Sequence, residues 1–163
     1  MHPSQLISVL CRPAGGWRAH RLPSDRETFD GDWTERRLRP ASEGKWIERR
    51  NLSMASRVGD PGYPHQLTVA INWDGTAETE EDGLARAHDL VAHALTCDRL
   101  SLHVLTFVAD LEWDLVFYTS VPASALTALE QVQRQLPDVT LIPETLKDPA
   151  WSYYRAREKA VFP

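Results

Sequence analysis

Leu67-Thr68-Val69-Ala70-Ile71-Asn72-Trp73, closed by Asp74-Gly75, is the stretch that decides the fold. Leu67, Val69, Ile71 and Trp73 alternate with Thr68, Ala70 and Asn72, a period of two that predicts a strand with one buried face. The period then changes. Thr79-Glu80-Glu81-Asp82 reads as a helix start, with a Thr N-cap, an acid three positions on, and carboxylates near the positive end of the helix dipole. Leu84, Ala87, Val91 and Ala94 recur at helical spacing, and Leu90 and Leu95 widen the stripe, so the helix should run to about Thr96.

Downstream the alternation repeats. Leu102 to Val108 predicts a second strand. Asp110-Leu111-Glu112 predicts a turn, and Trp113, Leu115 and Phe117 predict a third strand paired with the second as a hairpin. Ser120 through Pro122 opens another helix, with Pro near the first helical position, and Leu126, Leu129, Val132 and Leu136 form its apolar stripe. Pro137 stops it. Val139, Leu141 and Ile142 predict a short last strand. The order β-α-β-β-α-β is the ferredoxin-like arrangement of an α+β protein, an antiparallel sheet with both helices on one face.

Upstream, Trp33 to Leu38 and Lys45 to Ser53 predict a hairpin across Pro40 to Gly44, and Leu6 to Cys11 with Trp17 to Leu22 predict another. These Arg-rich strands suit an edge, or a cover for the free face of the sheet. The cluster Gly59-Asp60-Pro61-Gly62-Tyr63-Pro64 divides a basic extension, 1–60, from the α+β core, 61–163. The extension holds 11 basic and 8 acidic residues, a net of +3; the core holds 7 and 15, a net of −8.

The 163 residues and their net charge of −5 suit a globular protein with a real core and argue against a general nucleic-acid binder. No stretch approaches the ~18 apolar residues of a membrane span. Two cysteines, Cys11 and Cys97, far apart and outside any C-x-x-C pair, point to reduced thiols and a cytoplasmic protein, with a disulfide between them as the lesser alternative. The run Leu6 to Cys11 lacks the basic flank and apolar length of a secretion signal.

Asp148-Pro149-Ala150-Trp151-Ser152-Tyr153-Tyr154 fits a D-P-x-W-x-x-Y ending, which resembles the bacterial family called domain of unknown function 695. Tyr63-Pro64 before the first core strand, Asp82-Gly83-Leu84 at the first helix and Phe117-Tyr118 on the third strand are similar to that family's pattern. Glu112 and Asp114 stand where its members often carry Arg-Glu. The resemblance implies the same α+β fold and no assigned activity. Some members are fused to a domain resembling an inhibitor of ribonuclease E, which implies a regulatory protein–protein role.

The residues themselves offer few chemical motifs. No G-x-S-x-G, phosphate-binding loop or dinucleotide fingerprint is present, so no catalytic or cofactor residue is assigned. His93 shares a helix face with Cys97 and with Asp89, and His103 follows, but the spacing matches no metal pattern and no metal is assigned. Glu112 and Asp114 read either as paired acids or as a solvated turn. Arg36, Arg37, Arg39, Arg49 and Arg50, with Trp33 and Trp46 between them, would suit RNA, against the acidity of the core. Glu80, Glu81 and Asp82 read as helix-start chemistry or as an acidic patch for a basic partner. Trp151 and Tyr154 read as an aromatic latch or as the lining of a partner groove. The expected function is a non-catalytic protein-binding regulator or inhibitor. A toxin-neutralising immunity protein, an enzyme whose site is invisible in sequence, and an RNA-binding accessory protein are the alternatives.

Overall fold

A computed structural model describes residues 31–38, 46–75, 80–109 and 112–159. The expected strands Leu6 to Cys11 and Trp17 to Leu22, and the expected cap Thr79, lie outside the described residues.

The strands are β1 Trp33–Leu38, β2 Trp46–Asn51, β3 His65–Trp73, β4 Ser101–Val108, β5 Glu112–Thr119 and β6 Val139–Lys147. The helices are α1 Glu80–Thr96, α2 Pro122–Gln133 and α3 Ser152–Lys159, and a 3-10 turn spans Leu52–Arg57. All six strands form one antiparallel sheet in the order β1-β2-β4-β5-β3-β6. The β-α-β-β-α-β expectation holds, and β4-β5-β3-β6 is the ferredoxin-like strand order. The β1–β2 hairpin does not cover the free face. It continues the sheet, with β2 paired to β4 from Ile47↔Val108 to Arg50↔Leu105.

One face is covered by α1 and α2. Leu67, Val69 and Ile71 of β3, with Trp113, Leu115 and Phe117 of β5, pack against Leu84, Val91 and Leu95 of α1 and Leu129 and Val132 of α2. Leu126 is only partly buried, because Ala125, Leu129 and Val132 take the inner stripe of α2. Gly83 costs helix propensity of about 1 kcal/mol. Its place is explained by Trp73, whose ring lies where a Cβ on Gly83 would be.

The opposite face carries a second core: Val104, Leu105, Phe107, Val116 and Tyr118 under Trp151 and Tyr154. A register shift between His103 and Leu105 makes this possible. Without it both residues would share a face; with it, His103 stacks on Phe117 on the helix side while Leu105 joins the second core.

β6 is longer than the short strand expected. It runs past Ile142 to Lys147 and pairs with β3 along its whole length. Pro143 does not end it because β6 is an edge strand, where a missing N–H can face outward. Among the described residues no helix is long and apolar enough to cross a membrane.

Candidate protein-binding surface

Asp148, Trp151 and Tyr154 of the D-P-x-W-x-x-Y string are buried in a single latch, with Pro149 exposed on the turn between them. Asp148 accepts hydrogen bonds from the Tyr118 hydroxyl at 2.7 Å, the Ser152 amide at 2.8 Å and the Tyr153 amide at 3.1 Å. Burial opposes ionisation of Asp148, but these donors outweigh it and hold the carboxyl below its ordinary range. Burial, and then the bond to Asp148, push the Tyr118 hydroxyl far up. The helix begins at Ser152 rather than at Pro149. Pro149 and Ala150 form a turn closed by the Trp151 amide on the Asp148 carbonyl, and the Asp148 carboxylate reaches over that turn to cap α3. Trp151 stands between turn and helix at φ +54°, the left-handed region, which costs a bulky residue about 1–2 kcal/mol. Packing offsets that cost. The Trp151 ring stacks on Tyr118 at 4.0 Å, its indole N–H donates to the Tyr63 carbonyl at 3.1 Å, and it is 0% exposed. Tyr154 lies edge-on to Trp151 and is buried as well. A partner could reach these two rings only by lifting α3.

The arginine ribbon is divided between the two faces. Arg36 and Arg50 both donate to Oε1 of Glu48, at 2.8 and 2.9 Å, and to the Arg157 carbonyl. Glu48 is 2% exposed, so this triad ties the hairpin to α3 from inside. Arg50 also lies over the Tyr154 ring. Arg49 pairs with Glu35 at 3.2 Å. Arg39 lies outside the described residues.

The latch leaves the β5-β3-β6 corner of its face open. Register sets rows of side chains there: Glu112, Asn72 and Thr140; then Asp114, Ala70 and Ile142; then Val116, Thr68 and Glu144. Ile142 is 50% exposed and Leu146, one row beyond, 61%. Asp114 is half-buried, and its carboxylate makes no hydrogen bond or ion pair among the described residues. Burial, and then the neighbouring Glu112, raise its pKa. Topology adds more acid at this end of the sheet. Asp74 follows β3 and its amide bonds the Asp138 carbonyl just before β6. The Glu80-Glu81-Asp82 start of α1 stands over the same end, where Asp82, Trp73 and Asp138 line one hollow. Of the expected acidic patch on α1, Asp82 lines this hollow, together with Arg86. Glu144 and Leu146 went unread because Pro143 hid the second half of β6.

His93 is exposed on α1, whereas His88 and His103 are buried with ring centroids 5.7 Å apart. Thr106 bonds the His103 Nε2 at 2.9 Å. Burial, and then the charge of His88, hold His103 well below the ordinary histidine value. Among the described residues, no group of three or more His, Cys, Asp or Glu is placed to hold a metal ion. Cys97 takes part in a disulfide, against the expectation of a reduced thiol; Cys11 lies outside the described residues. No protein family, curated protein or solved structure matches the chain.

Proposed function

We propose that this protein is a non-catalytic regulator that binds a basic partner protein through the acidic end and the open β5-β3-β6 face. One observation carries the reading: acids from four separate chain segments, Asp74, Asp82, Glu112 and Asp138, converge on one end of the sheet, beside Asp114, whose carboxylate has no partner among the described residues. Keeping a half-buried carboxylate next to Glu112 works against stability, and a cation from a partner would relieve it. Ile142 and Leu146 supply apolar area within the polar surround, the composition of a protein interface. Glu80, Glu81 and Asp82 extend the field that steers a basic surface on approach. The latch gives the D-P-x-W-x-x-Y string a structural task, which suits kinship in fold with the domain of unknown function 695 family.

The test is affinity capture from the native cell, followed by binding kinetics with the captured protein. Asp82→Lys with Glu112→Lys should slow association about tenfold at low salt and change dissociation less. Association that is indifferent to salt and to these reversals, or a turnover lost on changing one polar residue, would defeat the reading.

A further inference from the structure

Among the described residues β6 has a single neighbour, β3, so its outer edge is a template on which another strand could pair. In an antiparallel strand the N–H and C=O of one residue point to the same side. The Leu141 amide donates to Gln133 Oε1 at 2.7 Å, and the Val139 carbonyl accepts from Gln133 Nε2 at 2.7 Å. The odd-numbered residues of β6 therefore face outward. Gln133, the last residue of α2, holds them as the peptide group of an added strand would. Its amide also bonds the Leu136 carbonyl at 3.2 Å, which fixes its position.

Pro143 is the next outward residue, and it has no N–H to offer. Facing outward, it leaves the ladder to β3 intact beside Val69. Beyond Pro143 the outward donors are the amides of Thr145 and Lys147, and a lysine on an edge itself resists pairing. The side chains of Ile142 and Leu146 make the edge worth guarding. Two β6 strands paired by a two-fold axis would join their exposed aliphatics into one continuous face.

We propose that Gln133 and Pro143 together close the outer edge of β6 against strand addition, and that the occupant they exclude is a second copy of this chain pairing β6 to β6. The inference stands apart from the identity of the basic partner.

Sedimentation of the full chain over a range of concentrations tests it. Gln133→Ala with Pro143→Thr should produce a dimer at least about tenfold tighter than any association of the parent chain, and adding Thr145→Pro should abolish it. A double variant with parental melting behaviour and parental sedimentation overturns the proposal. So does a parental dimer that Thr145→Pro dissolves. If the double variant does not fold, Gln133→Ala alone decides. Exchange of the Leu141 amide should then accelerate about tenfold while β3 amides keep their rates, and an unchanged Leu141 rate overturns the guard.

Discussion

The two faces of the sheet are built by different means. The helix face is a broad apolar layer, in which two amphipathic helices bury repeated positions of β3 and β5. The opposite face depends on a few large groups arriving from far along the chain. Trp151 meets Tyr118 and Tyr63, Tyr154 reaches the Asn51 carbonyl, and Glu48 meets arginines from β1 and β2. A layer of many similar contacts spreads its stability, whereas a latch concentrates it. The latch also ends abruptly, and it is where it ends that the sheet meets solvent with acids and bare aliphatics.

The largest expected effect attacks this contrast directly. Trp151→Ala should cost about 3–5 kcal/mol in denaturant unfolding, because it empties the centre of the latch. Amide exchange should rise in α3 and the β1–β2 hairpin well before β3 and α1. A loss below about 1 kcal/mol would mean that the second face has no core of its own.

A smaller effect separates the faces by pH. Burial keeps His103 neutral in the folded protein, while the unfolded chain takes up a proton near the ordinary histidine value of 6.5. The stability this neutral state allows is present above that value and is lost as pH falls below it, at no more than ~1.4 kcal/mol per unit. Asp148, lowered from 3.8, works on the latch side. Its contribution is present above its unfolded value and is lost only as pH falls below about 4. Unfolding measured from pH 7 to 3 should show two separate declines, the first absent in His103→Gln. A single decline below pH 4 in the parent would mean that His103 is reached by water.

The smallest effect concerns the open corner. Asp114→Asn should raise stability at pH 7 by a few tenths of a kcal/mol, the gain being kept small by solvent screening. The same change should weaken binding of a basic partner. A substitution that stabilises while it disables would separate a binding carboxylate from a structural one.

The helix face was legible because each of its elements announces itself by period. Leu67 to Trp73 and Leu84 to Leu95 need no knowledge of the rest of the chain. The latch was half legible. Asp148-Pro149 marks a turn, and Trp151 with Tyr154 marks an aromatic pair, but the left-handed Trp151 violates local propensity for the sake of a stacking partner 33 residues earlier. The slip at Val104 leaves no mark either, since hydrophobic residues run through it on both sides. The acidic end was the least legible part. Glu80, Glu81 and Asp82 are adjacent in the chain, but Asp74, Glu112 and Asp138 join them only through strand order. β6 was cut short in reading because a proline signals an end unless it is known to lie on an edge.

The place of β3 in the sheet bears on how the chain is made. Its two neighbours, β5 and β6, both come later in the sequence, and β6 ends at Lys147. The residues that fix the opposite face come later still, at Trp151 and Tyr154. During synthesis α1 follows β3 and can cover its apolar side chains, but the strand has no ladder partner until β5, and then β6, has left the ribosome. Folding must then be a late, whole-chain event of high contact order, and slow for its size. A chain stopped before Tyr154 would have β3 in place but its second face uncovered, and such a product is a substrate for chaperones and proteases.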